Sequence, residues 1–302
     1  MERWKRAAAA LLLGGAGLFA PLGSGNGAQA AVIDTMAPAR SHTHTHSHTH
    51  THEGEDEAPE TEEERSKLAS WSWPEGVPSA ERPAKLVIRL RDRDGTPIDG
   101  LELSHEKLMH LIVVSKDLAS FQHLHPVYEG GGEGGGEFRI PVVFPSGGRY
   151  KLFAGFRPTG LNELTRTAEI EVQGPSASGE ALAPSESFSA SANGVEIALT
   201  AAHLMAGMPS SLTFAFRDEQ TGKPVRDLEP YLGAIGHVIA ISEGAQEMLH
   251  VHPVNASASG PQAVFAATFP KGGLYKIWGQ FQRGGEGMTV SFVLRVPSQE
   301  DG

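Results

Sequence analysis

The sequence predicts an all-β protein, two tandem antiparallel β-sandwich modules behind a leader and a charged, unstructured segment. From about Trp71 onward, short runs rich in β-branched and aromatic residues alternate with Gly, Pro, Asn and Asp turn signals. No stretch in either module carries helical periodicity beyond two turns. One pattern also occurs twice. His110-Leu-Ile-Val-Val-Ser with His123-Leu-His125-Pro126 reappears as His237-Val-Ile-Ala-Ile-Ser with His250-Val-His252-Pro253, the first histidine standing 13 residues before the H-x-H-P element in each. The echo continues where Phe144-Pro-Ser-Gly-Gly-Arg-Tyr150-Lys matches Phe269-Pro-Lys-Gly-Gly-Leu-Tyr275-Lys.

Residues 1–30 read as a secretory signal: Arg3, Lys5 and Arg6, then the apolar run Ala7–Ala20, then Ala28-Gln29-Ala30 as an A-x-A cleavage site. The run is broken by glycines and shorter than the ~20 residues of a membrane-spanning helix. No second hydrophobic span follows, and the chain has no cysteine to carry a lipid. The expectation is a secreted protein of the cell envelope, with no membrane insertion after cleavage. Residues 31–67 are expected to be disordered. His42, His44, His46, His48, His50 and His52 alternate through SHTHTHSHTHTH, and Glu53–Arg65 then carries eight acidic residues. Closely spaced imidazoles on a flexible chain bind Cu(II), Zn(II) or Ni(II). A low-complexity spacer is the alternative reading of the same tract.

Module one is placed at residues 68–174, with strands near Lys85–Arg91, His110–Ser115, Phe121–Tyr128, Glu137–Phe144, Arg149–Phe156 and Ala168–Val172. The glycine-rich Glu129–Glu137 reads as a hairpin tip, without the lysine or helix of a phosphate loop. Residues 175–190, rich in Ser, Ala, Pro and Gly, read as a linker. Module two is placed at residues 191–298. Its strands fall near Val195–Ala201, Ser211–Arg217, His237–Ser242, Met248–Val254, Ala263–Phe269, Leu274–Phe281 and Thr289–Val296.

Composition narrows the partners. The chain carries 25 basic and 36 acidic residues, net −11, and loss of the leader's three basic residues and one acidic residue leaves −13. Nucleic acid and anionic membranes are therefore poor partners, and cations better ones. With 14 histidines and no cysteine, any metal site must use imidazole, carboxylate or thioether ligands. A blue-copper carrier, which needs a thiolate, is excluded. No G-x-S-x-G or similar nucleophile turn occurs, so a non-enzymatic role is expected.

Alternate residues of a strand share a face, so His123 with His125, and His250 with His252, can tilt toward one point. Pro126 and Pro253 are expected to end strand pairing there. His110 and His237 open the apolar runs LIVVS and VIAIS, which read as central strands buried on both faces. If these strands neighbour the H-x-H strands, each trio can meet an ion at ~2.0–2.1 Å per ligand with a fourth position open. The competing reading is architectural, each histidine donating to a backbone carbonyl. The repeated spacing favours metal, although a network inherited through duplication has the same appearance. His105 has no counterpart, Leu232 standing at the aligned position, and His203 reads as a surface residue. Met109 should face its own core. Met248 alternates with His250 and His252 where module one has Phe121, which makes it either a soft Cu(I) ligand or packing.

The strings His105-Glu-Lys-Leu-Met-His110-Leu-Ile-Val-Val-Ser-Lys-Asp-Leu with Phe121-Gln-His-Leu-His-Pro126, and Tyr231-Leu-Gly-Ala-Ile-Gly-His237 with His250-Val-His-Pro253, resemble those of YtkA-like secreted bacterial proteins over about residues 70–298. The resemblance implies immunoglobulin- or cupredoxin-like sandwiches and an association with copper and other heavy metals. The expectation is thus a secreted protein that binds copper or zinc through His110, His123, His125, His237, His250 and His252, with the tract buffering metal. The alternative is an extracellular interaction module for a protein, glycan or wall polymer, with the histidines structural.

Overall fold

A computed structural model describes residues 60–130, 135–177 and 179–298. The leader, the histidine tract and part of the Glu129–Glu137 tip lie outside the described residues. Module one contains a short helix α1 (Glu62–Ser66) and strands β1 (Leu68–Ser72), β2 (Pro83–Arg91), β3 (Leu101–Glu102), β4 (Met109–Ser115), β5 (Phe121–Leu124), β6 (Val127–Tyr128), β7 (Glu137–Val143), β8 (Gly148–Pro158) and β9 (Leu164–Val172). Module two contains β10 (Ser189–Ala192), β11 (Val195–Ala202), β12 (Pro209–Asp218), β13 (His237–Ser242), β14 (Met248–Pro253), β15 (Gln262–Thr268), β16 (Gly273–Arg283) and β17 (Glu286–Val296). The protein is a tandem of antiparallel β-sandwiches. Among the described residues no helix is long and apolar enough to cross a membrane.

In module one the sheet β1-β2-β7-β6 packs on β3-β8-β4-β5, with β9 added to β8. In module two the same two layers are joined into one path, β10-β11-β12-β15-β14-β13-β16-β17. The join corrects the expectation for the prolines. Pairing with β4 does end at Leu124, just before Pro126, but Pro253 stays paired with Phe265, and both prolines mark where the chain changes sheet. β14 pairs with β13 through Met248–Val251 and then with β15 at His252 and Pro253. In module one β5 pairs with β4, and beyond Pro126 β6 pairs with β7. Each H-x-H therefore sits at a corner of its sandwich.

The disorder expected through residue 67 is also corrected at its C-terminal end. Thr61 and Glu64 form a reciprocal cap, Glu64 N–H donating to Thr61 Oγ1 at 3.1 Å and Thr61 N–H to Glu64 Oε2 at 2.8 Å. The Arg166 guanidinium on β9 donates to the carbonyls of Glu64 and Lys67 and pairs with Glu60 at 2.8 Å. A charged sequence that cannot build a core is here held by polar contacts, Arg166 with its carbonyl partners and the bonds of Ser66 and Lys67 to Asp92 and of Arg93 to Glu62.

β4 and β13 explain how the modules meet. Each is central in its sheet and buried almost throughout. Met109, Leu111 and Val113 face module one's core, as Val238 and Ala240 face module two's. The alternate residues Ile112, Val114, Ile239 and Ile241 form a third apolar cluster with Leu118, Phe153, Ala245 and Trp278. Its members fall into equivalent pairs from the two repeats, so the modules pack as an internal isologous dimer. Two reciprocal bonds flank it: Lys276 Nζ donates to the Leu118 carbonyl at 2.9 Å, and Lys151 Nζ to the Gln246 carbonyl at 3.4 Å. Phe121 stacks on Trp278 at 4.6 Å between ring centroids, and Met248 packs against the same cluster. Trp278→Ala should lower stability by about 3–5 kcal/mol, read from urea melts, because it empties the centre of this interface.

Candidate metal centre

The residue parity that buries Ile112 and Ile239 between the modules places the repeated histidines on the same faces. His110 precedes Ile112 by one alternation, and His123 stands opposite Ile112 in the β4–β5 register. In module two His237 precedes Ile239 likewise, and His250 stands opposite Ile239. Two buried sheet faces therefore bring both sets of imidazoles together at one end of the apolar interface. His110 and His237 are 5% and 1% exposed.

Two trios have ligand nitrogens within 4.8 Å of one another: His110/His123/His125, and His105/His237/His250. The first is the trio expected from the sequence. The second exchanges His252 for His105. His252 lies beside that trio, its ring stacked on His105 at 5.6 Å and 5.0 Å from His250, but it is exposed at the sandwich corner. His105 comes from module one. It occupies a two-residue turn, Ser104–Lys107, in which both central residues have positive φ (His105 45°, Glu106 64°). That is the turn geometry of tight hairpins, costly for residues with side chains. Module two repeats the turn at Tyr231–Ala234 with Leu232 at φ 52° and Gly233 at 77°. The strained tip projects an imidazole across the module boundary. His203 is exposed, and Met109 lies in module one's core, both as expected.

The hydrogen bonds around the two trios follow one scheme. His110 Nε2 faces the Ser104 carbonyl at 2.8 Å and must carry the proton, since a carbonyl only accepts. His110 Nδ1 is then a bare lone pair, 2.9 Å from His123 Nε2. His123 Nδ1 donates to Gln280 Oε1 of module two at 2.7 Å, which leaves His123 Nε2 bare as well. In the second trio His237 Nε2 faces the Leu232 carbonyl at 3.5 Å, and His237 Nδ1 lies 3.3 Å from His250 Nε2. His250 Nδ1 points at the Glu163 carboxylate of module one, 3.5 Å away. Two facing lone pairs need a cation between them, a proton or a metal ion. Two nitrogens bound to one tetrahedral ion at ~2.0–2.1 Å stand about 3.3 Å apart, close to both spacings. His125 Nε2 is buried without a hydrogen-bond partner, which a proton shared by His110 and His123 does not explain.

Gln280 and Glu163 are exchanged orienters: each is supplied by one module to a histidine of the other. Gln280 stands opposite His237 in the β13–β16 register, and Gly155 opposite His110 in the β4–β8 register. The bare Gly155 leaves the space that Glu163 enters; a Cβ there would lie 3.2 Å from Glu163 Oε1. Burial pushes Glu163 up, but the hydrogen bonds from His250 and Ser104 prevail and hold its carboxyl down at about 2. Burial lowers His105 and His125 to about 4, His123 to about 3 and His237 to about 2, and lowers His110 less because the Ser104 carbonyl opposes it. These rings are neutral at physiological pH, the form that ligates metal.

These depressed values also set an acid limit for the metal-free protein. The unfolded chain takes up protons at these histidines near pH 6.5, and the folded chain resists until about 3–4 at His105, His123 and His125. Stability is therefore full above pH 6.5 and falls as pH drops from there toward 4. The melting temperature of the metal-free chain should fall on the order of 5 °C or more across that window. A flat melting temperature would show that the cluster is not buried as described.

Comparison with known proteins follows the same division. A search of the curated proteins finds no match. Among solved structures the chain is similar to the Escherichia coli adhesin FdeC (14% identity, 74% of this chain and 63% of that one, TM-score 0.25). It is also similar to invasin, a bacterial integrin-binding protein (13%, 75% and 39%, TM-score 0.22). A two-domain fibronectin type III segment of chicken tenascin matches as well (12%, 75% and 98%, TM-score 0.22). The chain spans less than two-thirds of the length of the two bacterial proteins. A family model described as a domain of unknown function, DUF8832, matches residues 64–174 and again 190–298, one copy per sandwich. The chain therefore belongs to the DUF8832 family, as a tandem of two such domains.

Proposed function

We propose that this is a secreted, non-enzymatic protein that binds copper or zinc outside the cytoplasmic membrane, through two all-imidazole centres at the module interface. The observation that carries this reading is the duplicated pattern of bare, facing ring nitrogens, each backed by an acceptor on its other nitrogen. Metal-bound histidines characteristically donate their second N–H to a carbonyl or carboxylate, which fixes the tautomer and raises ligand basicity. Three neutral imidazoles with an open fourth position suit Zn(II) and copper alike. The histidine tract His42–His52 would gather metal for these centres, and the kinship with YtkA-like secreted proteins forms part of the same proposal. Met248 packs with Phe121 in the interface cluster, so it serves as packing rather than as a soft ligand.

The test uses the full chain with the six tract histidines replaced by asparagine, titrated calorimetrically with Zn(II) alone. Two ions should bind per chain, and His110→Ala should remove one. Gln280→Leu should weaken the first centre by roughly 10–100-fold while leaving the fold intact by circular dichroism. No bound ion would overturn the proposal in favour of an extracellular interaction module whose histidines are structural.

A further inference from the structure

Resting on that metal reading, we infer that the two centres form one paired centre spanning the module boundary, closed by His105. The trios are not remote from each other. His110 and His237 rings lie 6.0 Å apart and nearly parallel, His123 and His237 5.9 Å, and His110 and His250 6.0 Å. His105 lies 4.4 Å from His237 and 6.1 Å from His110, so rings of both trios line one shared space. Ions held by these nitrogens are near neighbours with imidazole edges, rather than protein core, between them.

The boundary itself is built for the pairing. Module two supplies only His237 and His250 to the convergent second trio, and module one supplies the third ring. The two equivalent turns meet, since a Cβ on Gly233 would touch the Glu106 side chain at 3.4 Å. The first of these turns carries His105 at its tip. Its counterpart in the other turn is Leu232, so only one of the two centres takes a ligand across the boundary. Gln280 and Glu163 cross in opposite directions to orient His123 and His250. The second trio and the orienting contacts to His123 and His250 thus depend on the modules being docked, and the apolar cluster around Ile112, Ile239 and Trp278 docks them.

The experiment is electron paramagnetic resonance of the full chain with the six tract histidines replaced by asparagine, loaded with Cu(II) alone. At two ions per chain the spectrum should show dipolar broadening and a half-field transition. His105→Leu, which installs the residue that module two already carries in its turn, should reduce the bound copper to one ion and leave a single unbroadened Cu(II) signal. Two bound ions with no spin interaction would overturn the pairing and leave the metal reading standing. Two bound ions in His105→Leu would overturn the role of His105. If no copper binds, the metal reading fails and the pairing fails with it. A Glu106→Ala control, which changes the neighbouring turn residue without removing a ligand, should keep both ions and the half-field signal.

Discussion

β4 and β13 each have two apolar faces and only one core of their own to bury them in. Met109, Leu111 and Val113 fill module one, and Val238 and Ala240 fill module two. Ile112, Val114, Ile239 and Ile241 remain, and the face-to-face packing of the two sandwiches is what covers them. The rest follows from strand parity. His110 and His237 lie on the outward faces, in step with those isoleucines, and the neighbouring strands place His123 and His250 beside them. Hydrophobic burial of the strand centres therefore forces the polar strand ends together, in a site that water reaches poorly.

That site has unusual electrostatics for a protein surface rich in acids. Burial holds His105, His110, His123, His125 and His237 neutral, the Glu163 carboxylate is held ionised, and the bare nitrogens converge. Unprotonated imidazoles concentrated this closely have lone pairs directed into shared space. The surrounding acceptors (the Ser104 and Leu232 carbonyls, Gln280 and Glu163) hold the rings so that those lone pairs stay directed inward. The second trio and the orienting of His123 and His250 are thus consequences of how the modules dock, whereas His110, His123 and His125 come from module one alone.

Much of this was legible in the residues. Short apolar runs between turn signals located the strands containing His110, His123, His237 and His250 to within a few positions, because burial on both faces leaves the central strands as unbroken apolar runs. The convergence of His110, His123 and His125 followed from strand geometry. What sequence could not reach depends on contacts between modules. His105 was visible as an unmatched histidine, but its crossing into the second trio needs the docked arrangement. Gln280 and Glu163 carry no motif at all; register opposite His237 and the gap at Gly155 define their roles. The helix at Glu62–Ser66 was missed because acidic composition masked the capping box of Thr61 and Glu64. Of the prolines, the absent N–H was read correctly as a break, yet the break is a change of sheet.

The central claim is that the two trios are ligand sets. Anomalous diffraction at the zinc edge, from crystals of the full chain grown with Zn(II), addresses it most directly. The account predicts two anomalous peaks inside the histidine cluster. One should be bound by His110 Nδ1, His123 Nε2 and His125 Nε2, the other by His105, His237 Nδ1 and His250 Nε2, each ligand at ~2.0–2.1 Å. Zinc found only at the histidine tract, with the cluster's rings hydrogen-bonded to one another and no peak among them, would contradict it.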